Sequence, residues 1–288
     1  MINKTTFILL SLLTSPVYLF PAGSNHPIGG RSAGVGSASS PLSDLWSVHN
    51  NQAGLGNLVR PAAGIYYENR FLVRELSLKA VAFVLPTRSG TFGVSFNSFG
   101  YTNYNEMKAG LAYGKKLGKV VSAGVQLDYL RIHIAENYGN KDAFTFEAGI
   151  QAELTKQLTM GIHLFNPIRV KIEKETDDRV PAVFKLGMAY KVSDKLIVAV
   201  ETEKDSEFKP LFRGGIEYQV AEMASARIGY STLPSTSGSD SFSIASVYSF
   251  GFGLNIGKFV IDLSSAWHQT LGWSPMVSLT YNFVNNKK

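Results

Sequence analysis

The chain has 288 residues, a formal net charge of +6 and no cysteine, which excludes disulfides and thiolate metal sites. Charged residues make up 17% of it, below the roughly 25% of an ordinary soluble domain, while it has 27 glycines and 12% aromatic residues. Its basic residues are scattered rather than clustered with aromatic residues, so no nucleic-acid partner is predicted. This composition is typical of a β-protein whose strands have one polar, water-facing side and one apolar side.

Residues 1–24 have the features of a secretory signal peptide. Lys4 supplies a positive charge, the apolar run FILLSLLTSPVYLF (7–20) has the length of an h-region, and Ala22 begins a small-residue cleavage site. A membrane-anchoring helix is the alternative, but the run is short and Pro16 interrupts it. No later stretch is long enough for a transmembrane helix, so the chain can span a membrane only as a barrel.

From residue 62 onward, runs of alternating character are separated by turn residues. In AFTFEAGIQAEL (143–154) the apolar and polar residues occupy opposite faces, with a period of two. The pattern predicts about fourteen strands, over 62–70, 77–85, 91–100, 105–115, 119–134, 143–154, 157–166, 181–191, 195–203, 210–219, 224–232, 241–256, 258–268 and 274–283. The fifth run changes phase near Leu130, which predicts a β-bulge there.

The length of the runs and the aromatic residues near their ends favour a membrane barrel over a soluble sandwich. Connections after even-numbered runs are short, and several after odd-numbered runs are longer, as expected for an outer-membrane barrel with both termini in the periplasm. We therefore predict an all-β, transmembrane antiparallel barrel over residues 62–283 in the outer membrane of a Gram-negative-type bacterium. A short tail, 284–288, follows it.

A barrel of this size is too wide for its own side chains to fill. Residues 25–61 are about the right length of chain for a hatch or plug in the lumen, entered from the periplasm. Within SVHNNQAGLG (47–56), Asn50, Asn51 and Gln52 would bond to the polar inner face, Ala53 and Gly54 would let the backbone pass close to the wall, and Leu55 would be an apolar anchor. We expect this stretch to pack against Glu217, Arg227 or Asp262.

No catalytic set, metal site or cofactor motif is readable, so the protein is predicted not to be an enzyme. Charged residues are instead expected on the inner face, where Glu217 should face Arg227 across a hairpin. The other members of this lumen charge network are Arg213, Asp262, Glu147 and Lys185. These charges either satisfy one another or form a path or a docking surface for the plug.

Four stretches resemble the PorV/PorQ group of the FadL-like fourteen-stranded outer-membrane barrels. GGIEYQVAEMASARIGYS (214–231) is similar to that group's G-x-E-Y…R-x-G-Y hairpin, and residues 248–283 are similar to its closing strands. Residues 29–56 resemble the family's opening, G-x-R-x-A-G-M-G…N-P-A-G-L, and GIHLFNPI (161–168) resembles its mid-barrel run. The sequence departs from the pattern at Gln52, which stands in place of the proline.

The resemblance implies one of two functions, with different partners. The first is an accessory or shuttle barrel, similar to those that work with the type IX secretion machinery, whose partner would be a secretion protein. The alternative is a FadL-like channel for hydrophobic small molecules; its lateral exit would need a break in strand pairing, and Gly93 and Gly100 in the third run are the candidate hinges. A passive structural barrel or porin is the second alternative. In all three cases the barrel contacts outer-membrane lipid.

Overall fold

The fold was analysed in a computed structural model that describes residues 26–135, 139–172, 179–233 and 246–283. Fourteen antiparallel strands close into a barrel in which β1 pairs with β14, so the predicted fold is confirmed. The strands are β1 Ala62–Asn69, β2 Ser77–Pro86, β3 Thr91–Tyr101, β4 Tyr104–Leu117, β5 Val121–Ile134, β6 Gly139–Glu153, β7 Leu158–Phe165, β8 Val183–Ser193, β9 Leu196–Asp205, β10 Leu211–Ala221, β11 Ala224–Thr232, β12 Ser246–Ile256, β13 Phe259–His268 and β14 Gly272–Asn282.

The predicted signal peptide and tail lie outside the described residues. Within those residues, no helix is long and apolar enough to cross a bilayer.

The two ends of the barrel differ in their connections. Ala62 at the start of β1 pairs with Asn282 at the end of β14, and the short connections 87–90, 118–120, 154–157, 194–195, 222–223 and 257–258 lie at that same end. We call it the turn end. The opposite, loop end carries connections of very unequal length, from 102–103 to 166–182.

Alternation along each strand separates an apolar outer face from a mainly polar inner face. In β6, Phe144 is 72% exposed on the outside, whereas Glu147 is fully buried inside. The period of two in the sequence arises because successive side chains point to opposite faces of the sheet.

The bulge predicted near Leu130 is absent. Strand β5 pairs with β4 and β6 in unbroken register over its whole length. Leu130 and Ile132 instead point inward, where Leu130 joins a buried cluster with Phe165 and with Val180 of the 166–182 connection. The described residues Val170 and Ile172 of this connection pack against the same cluster, so inward apolar side chains are buried there and the strand needs no change of phase.

Neither glycine proposed as a hinge in the third strand interrupts its pairing. Strand β3 is in register with β2 from Thr91 to Phe99 and with β4 from Thr91 to Tyr101. Gly93 faces the lumen, and Gly100 has a φ of +103° beside the tight β3–β4 turn, a conformation that favours glycine. Both glycines therefore serve local geometry in a continuous wall.

Residues 26–61, which we call the plug segment, lie inside the barrel. They contain two short helices, α1 (Gly30–Gly34) and α2 (Ser47–Asn50), followed by a 3-10 helix over Gln52–Asn57. Nearly all of residues 27–55 are buried, and they contact inner-face residues of strands on opposite sides of the barrel.

Candidate functional site: the interface between the plug segment and the barrel wall

Glycines on the inner faces of the strands allow the plug segment to lie directly against the wall. A Cβ atom at Gly215 would lie 2.5 Å from the Cα of Val35, and one at Gly187 would lie 2.5 Å from the Oγ of Ser40. Both separations are shorter than real Cβ contacts. The same crowding by the plug segment occurs at Gly114, Gly124, Gly149, Gly161 and Gly229. The close approach depends on these wall glycines, which the sequence analysis did not single out. The backbone does pass close to the wall at Ala53, because a Cβ at Gly124 would lie 2.6 Å from the Ala53 nitrogen.

Glu147 is the centre of one buried polar cluster. Its carboxylate accepts hydrogen bonds from Lys108 Nζ at 2.5 Å and from the plug's Gln52 Nε2 at 2.7 Å. His163 Nε2 lies 2.8 Å away, and the side chains of Glu147 and His163 are both fully buried. Because this carboxylate is bonded by wall and plug together, it ties the plug segment to β4, β6 and β7.

A second cluster holds the plug segment through its backbone. The backbone N–H groups of Ser39 and Ser40 donate to one oxygen of Glu201, at 3.1 and 2.7 Å. Arg213 bridges Glu201 and Glu203 at 3.1 and 2.6 Å, and Lys185 Nζ lies 3.7 Å from Glu203. Arg213 and Lys185, predicted as lumen charges, therefore position carboxylates near the plug segment.

The third cluster contains the predicted hairpin pair. Glu217 is opposite Arg227, which donates to it at 2.6 Å and to Asp262 at 2.6 Å. Arg31 of the plug segment forms a bidentate pair with Glu217 at 2.9 and 2.8 Å. The predicted lumen charges are thus arranged around three centres, each of which also contacts the plug segment.

The six residues predicted to act as a hatch have different roles. Asn50 bonds within the plug segment, accepting from the Ile28 N–H and donating to the Ile28 carbonyl. Asn51 donates to the Ser40 carbonyl at 2.7 Å and to the Ile150 carbonyl of β6 at 3.4 Å, while its Oδ1 accepts from the Ala53 N–H. Among these six residues, wall hydrogen bonds are made by Asn51 and Gln52.

Gly54 differs from the expectation, whereas Leu55 is an apolar anchor as expected. A Cβ at Gly54 would meet Ser47 within the plug segment, not the wall. Leu55 is fully buried, but it is one of several apolar anchors, with Trp46 and Val48. The 47–56 stretch packs against Glu147; Glu217 and Asp262 lie beside α1 instead. The polar composition of residues 47–56 did not predict that Val48 and Leu55 would form an apolar surface.

An apolar sector of the wall lies beneath these anchors. The inward residues of β2 are Leu78, Ala80, Ala82 and Val84, all at most 7% exposed, and Tyr66 and Met276 extend the sector onto the neighbouring strands. The plug segment covers the sector with Trp46, Val48 and Leu55. The lumen therefore has one apolar side in addition to the polar inner face predicted from the sequence.

A cavity of about 540 Å³ lies at the turn end, between the plug segment and the wall. Its lining includes Arg31, Trp46 and Leu58 from the plug segment and Arg227 and Asp262 from the wall. The cavity thus borders the third charged cluster and the apolar side chains of Trp46 and Leu58 in the plug segment.

His49 is held neutral within the plug segment. Burial lowers the pKa of its imidazole well below the usual range. Its Nε2–H donates to the His26 carbonyl at 3.0 Å, while no described residue hydrogen-bonds to its buried Nδ1. A neutral imidazole avoids adding a further charge to the plug segment.

Several residues of this interface were not singled out from the sequence: Arg31, Trp46, Lys108 and Glu201. The alternation along each strand could have identified the wall residues. Lys108 and Glu201 each lie between outward-facing side chains, so both would be expected to face the lumen. Nothing local marks Arg31 or Trp46, whose partners are distant in sequence. Among the described residues, no group of three or more His, Asp or Glu side chains is placed to hold a metal ion.

The closed barrel of fourteen antiparallel strands is shared with solved structures. The fold is that of the FadL-like outer-membrane barrels. The CymD monoaromatic hydrocarbon channel has a TM-score of 0.70 at 12% identity, covering 90% of this chain and 98% of that one. The Pseudomonas putida toluene transporter TodX has a TM-score of 0.68 at 11% identity, covering 91% and 100%.

A Pseudomonas aeruginosa FadL homologue has a TM-score of 0.65 at 11% identity, covering 89% of this chain and 98% of that one. No family model matches the sequence. No curated protein matches it either. At these identities, the similarity concerns the fold.

Proposed function

We propose that this protein is a non-enzymatic outer-membrane channel for small hydrophobic molecules, closed by the plug segment acting as a hatch. The observation that carries the proposal is the apolar sector along β2, which extends across the lumen wall beneath the plug's apolar side chains. Solved proteins of the same fold that are described as hydrocarbon channels or toluene transporters add support.

The proposed path runs through the lumen rather than through the wall. Strand β3 is hydrogen-bonded to both neighbours without a break, so a lateral exit there would require pairing to open. Displacing Trp46, Val48 and Leu55 would instead uncover the apolar sector. A hydrophobic solute could then replace the apolar contacts that the plug loses.

A reversible disulfide between plug and wall tests this proposal. A Cβ at Gly93 would lie 3.5 Å from the Cβ of Val48, at the short end of the roughly 3.5–4.5 Å found in disulfides. We expect Val48→Cys with Gly93→Cys to lock the plug segment to β3 when oxidised. Since the chain has no cysteine of its own, no competing pair can form.

The measurement is uptake of the hydrophobic fluorophore N-phenyl-1-naphthylamine by intact cells that produce the protein. Oxidised cells of the double variant should take up the dye at the rate of cells lacking the protein, and reduction should restore uptake. The single variants Val48→Cys and Gly93→Cys are the controls and should not respond to oxidant. Uptake by the wild type no faster than by cells lacking the protein would contradict the channel.

The second candidate is an accessory barrel of the PorV/PorQ kind, in which the closed barrel holds or hands over exported proteins. The continuous pairing of β3 and the three buried charged clusters favour it, since both stabilise a barrel that stays shut. Affinity purification from native outer membranes distinguishes the two candidates. A stoichiometric secretion-machinery protein supports the accessory role, and recovery of this chain alone contradicts it.

A further inference from the structure

A polar groove lies on the outer surface of the barrel at the loop end, away from the plug segment. Lys79, Ser98 and Met107 form a row across β2, β3 and β4, because Lys79 is paired with Ser98 and Ser98 with Met107. Tyr101 and His133 are also in the lining of the groove, which has a volume of about 420 Å³.

The groove combines the ammonium group of Lys79 with residues that can donate hydrogen bonds. Lys79 is exposed and makes no hydrogen bond or ion pair with any described residue. Asn105 Nδ2 donates to Ser98 Oγ at 2.9 Å, which leaves the Ser98 hydroxyl proton free to be donated. Tyr101 and Thr102, which carry hydroxyl groups, line the same groove. An ammonium group among several hydroxyl donors suits a phosphate oxyanion.

The groove is continuous with the lipid-facing surface. On β2 the outward residues after Lys79 are Val81, Phe83 and Leu85, and on β3 those before Ser98 are Phe96 and Val94, all of them exposed. A ligand with its anionic group at Lys79 would therefore place an attached apolar chain along this band. This arrangement distinguishes a lipid from a free anion.

We propose that the groove binds the phosphate of an anionic outer-leaflet glycolipid, whose acyl chains lie on the apolar surface of β2 and β3. The proposal rests on the outer-membrane location within the proposed function, with the loop end facing outward. It does not depend on transport, since the groove and the lumen lie on opposite faces of the wall. Lys79 provides the charge, and Ser98 orients the phosphate.

Native mass spectrometry of the full mature chain tests this site. The protein is released from mixed micelles containing phosphatidylcholine and a diphosphorylated, hexa-acylated glucosamine disaccharide. We expect one copy of the phosphorylated glycolipid to be retained, with roughly tenfold weaker retention by Lys79→Gln, as for the loss of a charge-assisted hydrogen bond. Lys115→Gln is the matched control, because Lys115 is an exposed, outward lysine at the turn end.

Two further ligands separate the lipid from its phosphate. The dephosphorylated glycolipid should be retained several-fold less, and millimolar inorganic phosphate should not displace the phosphorylated form. Equal retention by the wild type and Lys79→Gln overturns the proposal, as does equal retention of the two glycolipids. Displacement by inorganic phosphate would also overturn it, since the acyl chains would then contribute nothing. These measurements do not involve dye uptake. The channel proposal can therefore be contradicted while the glycolipid site is supported.

Discussion

At the scale of single residues, the lumen contains carboxylates that are fully removed from water but bonded on several sides. Glu147 illustrates this arrangement, with Lys108, His163 and Gln52 around one side chain. A buried charge is tolerated when its partners are present, and removing one partner leaves the others uncompensated. The cluster therefore makes the plug segment and the wall depend on one another.

Glu147→Gln should lower the free energy of unfolding by about 3–5 kcal/mol, because the buried Lys108 ammonium would lose the carboxylate to which it donates. Urea unfolding in lipid bilayers measures the change. Glu153→Gln on the same strand removes an exposed pair with Lys116, in which the side chains are 45% and 36% exposed, and should cost less than about 1 kcal/mol. Equal losses of unfolding free energy in the two variants would show that the buried contacts of Glu147 do not stabilise the protein more than an exposed ion pair does.

At the scale of elements, the inner faces of the strands and the plug segment fit by shape. Gly214 and Gly215 are adjacent in β10, but they face opposite ways. A Cβ at Gly215 would overlap the backbone of Val35, whereas one at Gly214 has its nearest neighbour at 3.4 Å. The same substitution at these two positions therefore tests the close approach of the plug segment.

Gly215→Ala should displace the plug segment, at a cost of about 1–3 kcal/mol for overpacking. Cleavage by trypsin measures the displacement. The plug segment contains two arginines, Arg31 and Arg60, and trypsin does not cleave after Arg60 because a proline follows it, so Arg31 is the cleavable site. We expect faster cleavage after Arg31 in Gly215→Ala and wild-type cleavage in Gly214→Ala. Indistinguishable rates in the two variants would contradict the wall contact.

At the scale of the whole molecule, the plug segment occupies the lumen of a barrel that is too wide to close with its own side chains. It meets wall residues on opposite sides, from Glu147 of β6 to Asp262 of β13. A wall of fourteen strands without this segment would enclose a wet, charged lumen. We therefore expect the plug segment to be the barrier to water and ions.

Deletion of residues 27–58 should convert the protein into an ion-conducting pore, because water and ions would enter the emptied lumen. Planar bilayer recordings measure the conductance, and the intact chain should show no steady current. The oxidised Val48→Cys, Gly93→Cys variant serves as a closed control. A steady current through the intact chain as large as that through the deletion variant would exclude the plug segment as the barrier.

The sequence alone determined the strands, their number and the outward apolar face. A strand with lipid on one side and polar contacts on the other must alternate, and β6 and β12 do so clearly. Hairpin pairing follows from short turns, so the opposition of Glu217 and Arg227 was also accessible.

Only the tertiary structure decided what the inner faces touch. Strand β2 is apolar on both sides because lipid covers one and the plug's Trp46 and Val48 cover the other, which removes its period of two. Leu130 points inward because a connection distant in sequence folds over it. The same apolar side chain is stable against lipid, plug or loop, since burial is non-directional. The local pattern of apolar residues in the sequence therefore cannot distinguish these surroundings. They are decided by which distant parts of the chain the fold brings together.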